Sequence, residues 1–177
     1  DGALTHLRRH VFSQPNDGYA QWLYASIASE PGRIALVASD IEETEARFHP
    51  GDAPLDFLAG AWHHLAKPDH AKALMAQGLS RDCARATSEP SRQNCEAWYQ
   101  GLVGQDLSTA EDKVVAALAA HPNRAEFLDT LAMVLEAKGD LAGAREASWS
   151  AAQHAPDDVY LITQALRIRS QEKPRAR

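Results

Sequence analysis

Histidines, a dense acidic run and two cysteines are the residues of this sequence whose chemistry could extend beyond packing. His6 and His10 stand four apart, so a helix would put both rings on one face within reach of a single metal ion. No carboxylate lies near them in sequence, and a surface pair is the favoured reading. His63, His64, Asp69 and His70 gather at a helix-turn-helix corner. Adjacent His63 and His64 point about 100° apart on a helix, so the two do not converge on one ion, and a metal enzyme or hydrolase at this corner is the weakest reading. Asp40, Glu42, Glu43 and Glu45 offer paired carboxylates for acid–base work. On a helix they spread over much of the circumference, as a solvated face does. The sequence holds no Gly-x-Ser-x-Gly, phosphate-cradling glycine loop, dinucleotide fingerprint or His-Glu-x-x-His. No catalytic, cofactor-binding or metal residue is therefore assigned, and the chain reads as noncatalytic.

The elements that would position these groups are helices. In Leu128, Leu131, Ala132 and Leu135 the apolar residues fall at i, i+3, i+4 and i+7, one face of a helix that Lys138-Gly139-Asp140 ends. The same spacing predicts helices over 3–13, 17–29, 34–48, 53–66, 69–85, 93–103, 107–120, 124–137, 141–154 and 158–171. The segment between Cys83 and Cys95, with Pro90 and Thr87-Ser88-Glu89, reads as a helix-helix loop. The chain has 177 residues, 45% apolar and 24% charged, enough for a sizeable buried core. No apolar run is long enough to span a membrane. A net charge of -6 argues against a nucleic-acid partner, whose phosphates need a basic face. Asp1 is not a start methionine and no leader precedes it, so a removed signal or an excised piece is expected.

Repetition organises these helices. Gln105-Asp106-Leu107-Ser108-Thr109-Ala110 aligns with Gly139-Asp140-Leu141-Ala142-Gly143-Ala144 at an offset that also carries Ala117 onto Ala151 and Pro122 onto Pro156. The prolines at 15, 50, 90, 122 and 156 stop helical runs at similar intervals, His49-Pro50 among them. Leu128, Leu131, Ala132, Leu135, Gly139, Asp140, Leu141, Ala144, Ala151 and Pro156 together resemble the signature of the tetratricopeptide repeat, whose period is about 34 residues. The resemblance is strongest over 91–156, although Trp98 and Gly101 replace the expected Ala and Leu there, and it is looser over 16–90. Ala25 and Gly32, then Ala61, Asp69 and Ala73, take signature positions in the earlier repeats.

The resemblance implies an all-α fold, a right-handed superhelical stack of antiparallel helix pairs (a TPR-like α-solenoid) of about five repeats. One repeat domain would cover 1–171, with 1–15 a partial repeat and 157–171 a capping helix. Residues 172–177 would form a basic tail. Arg167, Arg169, Lys173, Arg175 and Arg177 against Glu172 give that end a charge of +4, read as solvated or as drawn to an anionic membrane or partner. Small residues at Ala132, Ala144 and Ala151 would let helices approach closely, and Trp149 is expected to pack beneath the last helix. Cys83 and Cys95 would sit on adjoining helices, where a disulfide contributes roughly 3 kcal/mol in the loop-entropy view. That bond implies a periplasmic or extracellular location; unpaired core thiols would leave the cytoplasm open.

Inward positions of such a stack fall at Trp22, Ser26, Leu58, Trp62, Cys95, Tyr99, Asp129 and Met133. They would line an apolar groove for a peptide or helix of a partner protein, or else the hairpin core if the registration shifts by one residue. The Lys and Asn side chains of the subclass that grips C-terminal carboxylates are missing from these positions. The expected function is thus a noncatalytic protein-protein interaction scaffold in a bacterial envelope or secretion-type assembly, with no cofactor. The alternative is the soluble repeat domain of a larger membrane or secreted protein whose chemistry lies elsewhere.

Overall fold

The computed structural model describes residues 2–28, 31–48 and 51–171. The His49-Pro50 stop and the basic tail 172–177 lie outside them. Among the described residues the chain is all-helical, with ten α-helices, one short 3-10 turn and no strand. No helix among them is long and apolar enough to cross a membrane. The chain divides into two compact units, Asp1–Arg81 and Asp82–Arg177.

The first unit contains α1 (Gly2–Ser13), α2 (Gly18–Ser26), α3 (Pro31–Glu45), α4 (Leu55–His64) and α5 (Pro68–Arg81). Asp17 opens α2 by accepting a hydrogen bond from the Ala20 amide at 2.9 Å, the usual work of an N-terminal cap. Helix α2 buries Trp22, Tyr24 and Ala25 and lies against α4, which buries Leu58, Ala59, Ala61 and Trp62. Gly18 makes this approach possible, because a Cβ there would stand 2.6 Å from Pro54 Cβ. Helix α3 is held differently, by a buried carboxylate. Asp40 accepts from Arg8 Nε of α1 at 2.8 Å, from Arg8 Nη2 at 3.0 Å and from the Tyr24 hydroxyl of α2 at 2.7 Å. The acidic run is therefore not a uniform solvated face. Asp40 is buried and Glu45 half-buried, while Glu42 and Glu43 are exposed.

The second unit begins with the 3-10 turn Cys83–Arg85 and continues through α6 (Glu89–Val103), α7 (Leu107–Ala120), α8 (Ala125–Lys138), α9 (Leu141–His154) and α10 (Val159–Ser170). The expected loop between the cysteines is shorter than its composition suggests. Ser88 caps α6 by accepting from the Ser91 amide, and Pro90 occupies the first turn, where no amide proton is needed. The two sulfurs lie at bonding distance, 2.05 Å. Gly139 takes φ +84 and closes α8 as expected, and Gly104, at φ +64, does the same for α6.

Alanines carry the packing of this unit. Ala97, Ala110, Val114 and Val134 form one fully buried cluster, and Ala132, Ala144, Ala147 and Ile168 a second. A third joins Ala125, Ala151 and Leu161. Their small side chains let α6 through α10 lie close enough for the partly buried Leu128, Leu131 and Leu135 to fill the remaining space. Gly101, which departs from the repeat signature, has a reason in the same geometry: its Cβ would meet Val134 Cγ2 at 3.1 Å. Two expectations for the last helices change. Helix α10 buries Leu161, Ala165 and Ile168 but leaves Val159, Ile162 and Leu166 exposed, and Trp149 is half exposed rather than packed beneath it. The outward positions of α10 have no helix over them among the described residues.

Gly101→Leu is expected to force α6 away from α8 and to lower unfolding stability by about 1–3 kcal/mol, the ordinary cost of overpacking. Urea titration checks this. Adding Val134→Ala should restore part of the loss, since the two side chains compete for one space.

Candidate functional site

In the first unit, an open groove of about 1000 Å³ is lined by Ile34, Ala35 and Ala38 of α3 on one side and by Trp62 and Leu65 on the other, with Glu42, Glu45, Lys67 and His70 also lining it. A second recess of about 740 Å³ shares Glu45 and His70 and is lined further by Phe48, Leu55 and Leu74. Glu45 is the junction of the two. Its carboxylate accepts a hydrogen bond from Trp62 Nε1 at 2.7 Å, and His70 Nε2 lies 3.2 Å from its other oxygen. The His70 ring meets the Trp62 ring edge-on, 4.9 Å between centroids. The carboxylate thereby fixes an otherwise buried indole so that it lines the groove.

The histidine corner is dispersed by these contacts. His64 turns its ring toward Trp22, 5.6 Å between centroids, while His70 goes to Glu45 and Trp62. Among the described residues no three His, Cys, Asp or Glu side chains converge as a metal site.

The inward positions are placed as follows. Trp22, Leu58 and Trp62 are buried, and of these Trp62 lines the groove. Ser26 Oγ donates to the Leu23 carbonyl of its own helix. In the second unit Tyr99 is buried and its hydroxyl donates to Asp82 at 2.6 Å. Cys95 is joined to Cys83. Asp129 and Met133 are buried together beneath α10.

That last contact is a ladder of polar rungs between α8 and α10. Tyr160 donates to Asp129 at 3.0 Å, Gln164 Nε2 approaches Met133 Sδ at 3.5 Å, and Arg167 forms a bidentate pair with Glu136 at 2.5 Å. Each rung joins residues 31 apart in sequence. Helices that run alongside one another give such a constant offset, and because it differs from the period of about 34 residues in the sequence, no sequence signal located Tyr160, Gln164, Arg167 and Glu136. Arg167, counted with the basic C-terminal end in the sequence, is thus half-buried and paired with Glu136. Within α10, Arg167 Nε donates to Gln164 Oε1 at 2.7 Å and Gln164 Nε2 donates to the Tyr160 hydroxyl at 3.0 Å, so a chain of hydrogen bonds runs from the guanidinium to the Asp129 carboxyl.

Asp129 is incompletely served by this chain. Its Oδ1 is buried with no hydrogen-bond partner among the described residues. Burial pushes its pKa up to about 7, against the downward pull of the Tyr160 hydrogen bond and the Arg167 charge; Asp158 and Glu136 add smaller upward effects. A carboxyl held above its unfolded value retains a proton in the folded state that the unfolded chain has released. Its stabilising contribution is complete below the unfolded value near pH 4 and is lost as pH rises to about 7. Asp129→Asn is expected to remove that slope and to raise stability at pH 8 by a few kcal/mol relative to the parent, measured by urea unfolding at pH 5 and pH 8. A parent stability that climbs steadily from pH 5 to 8, unchanged in slope by Asp129→Asn, would contradict this. Comparison with protein-family models, with curated proteins and with solved structures finds no match for this chain.

Proposed function

We propose that this chain is a noncatalytic tetratricopeptide-like scaffold whose first unit binds an extended or helical segment of a partner protein in the groove beside Trp62. The observation that carries the reading is the groove itself: an apolar floor of Ile34, Ala38 and Leu65, with Trp62 held in place by Glu45. Binding sites of this kind gain affinity from being formed in advance, because few rotamers are left to order when the partner arrives. The spacing of helices α6 to α9 further supports the repeat reading. The bonded Cys83 and Cys95 support folding in an oxidising compartment, periplasmic or extracellular.

A peptide selected from a random display library against the parent protein provides the ligand for the test. Ala38→Arg places a long cation across the groove floor, and is expected to weaken that peptide by about tenfold or more while the far-ultraviolet dichroism stays the same. Equal affinity for parent and variant would remove the groove from the reading. Compartment is checked separately: protein isolated from its native source with thiols blocked at lysis should yield the Cys83–Cys95 peptide pair in a nonreducing digest. Alkylated Cys83 and Cys95 would instead indicate a reducing environment.

A further inference from the structure

Helix α10 is seated more lightly than the helices before it. Its backbone lies close to α9, and it meets α8 chiefly through the side chains of Tyr160, Gln164 and Arg167. The apolar part of the seat is small, consisting of Leu161, Ala165 and Ile168, and among the described residues no helix holds α10 from its outward side. An end helix held on one side leaves its seat at a lower cost than unfolding the whole unit. Into this seat the fold places Asp129, 4% exposed, with Oδ2 accepting from Tyr160 and Oδ1 without a partner. A buried carboxylate with one donor is poorly compensated, whereas the protonated carboxyl has no charge to desolvate. Arg167 does not fill the gap, because both of its terminal nitrogens donate to Glu136.

We infer that α10 is a proton-latched cap: it stays seated while Asp129 keeps its proton, and its unseated state gains population when that proton is lost to solvent. Unseating uncovers Met133 and the alanine face formed by Ala132, Ala144 and Ala147, against which Ile168 packs. The charges around the latch favour the proton. Glu136 of α8 and Asp158 at the start of α10 are acidic, and they oppose the pull of Arg167 and the Tyr160 hydroxyl. Among the described residues no group of α6, α7 or α9 shifts Asp129: Glu96 and Glu111 are paired with Lys113 and Lys138, and Arg145 and Glu146 line the cleft beside Trp149. The direction of the switch follows. Seated, Asp129 ionises at about pH 7; unseated, it meets water and ionises near the ordinary value of about 4. Unseating therefore grows by roughly tenfold per pH unit between about 5 and 7, and levels off above, where both states have lost the proton.

Native-state hydrogen exchange of the full chain, corrected for the intrinsic rate at each pH and repeated with small additions of urea, tests the latch. Amides of α10 are expected to exchange through an opening that responds weakly to urea and grows roughly a hundredfold from pH 5 to pH 8. Amides of α6 and α7 should show the steep urea dependence of global unfolding. Asp129→Asn should flatten the pH dependence of the α10 opening. Tyr160→Phe, which removes the one donor to the carboxylate, should carry the levelling-off to higher pH. Any of three results would overturn the inference: α10 amides that share the protection and urea dependence of α6 at both pH values, a parent whose α10 opening is equal at pH 5 and pH 8, or variants at Asp129 and Tyr160 that keep the parent's pH dependence.

Discussion

How near two helix axes can come decides what else the second unit can hold. Helices α6 to α10 pair through alanines and one glycine, and a side chain larger than a methyl at Ala132, Ala144 or Ala151, each fully buried, would have to push its neighbours apart. Because no helix pair here buries its apolar face alone, each close approach is shared with the next pair, and the leucines of α8 can fill only the spaces that the alanines define. Gly101 shows the constraint acting where the repeat signature fails: Trp98 brings bulk into α6, and the glycine one turn later gives back the space that Val134 needs.

Two buried aspartates show how each unit adds direction to this largely nondirectional packing. Asp40 receives an arginine and a tyrosine from two different helices, so both of its oxygens are supplied with donors. Asp129 receives one tyrosine and keeps one oxygen unserved, which makes its proton part of the structure near neutral pH. Both carboxylates connect helices that the apolar contacts alone would allow to slide or rotate. The polar rungs between α8 and α10 extend the same role over about two helical turns, fixing register where alanine faces offer little.

Helix positions were legible because they depend on local spacing. The periodic leucines of α8, the stop at Gly139 and the prolines all act within a few residues, and the observed helices depart from the expected ones mainly at their ends. The start of α6 was missed because Pro90 reads as a breaker until Ser88 is recognised as the cap before it. The fate of the acidic run was not legible for a different reason. Asp40 differs from Glu42 only through Arg8 and Tyr24, which lie 32 and 16 residues away, and no local pattern announces such partners. Trp62 was singled out by its repeat position, but the Glu45 and His70 that orient it come from separate helices. Trp149 was expected beneath the last helix from its place on the helix before it, and it is instead half exposed, lining an open cleft with Ala165 and Arg169.

The covalent link between Cys83 and Cys95 has a topological consequence as well as an energetic one. It closes a ring that begins two residues after the first unit ends and holds the 3-10 turn together with the first turns of α6. Thr87, Ser88 and Glu89, an exposed stretch of the kind a protease can reach, lie inside this ring. A cut there leaves two chains that stay joined through the disulfide until a reductant arrives. The ring therefore makes redox state, and no longer an unbroken backbone alone, what keeps the two sides of this exposed stretch joined.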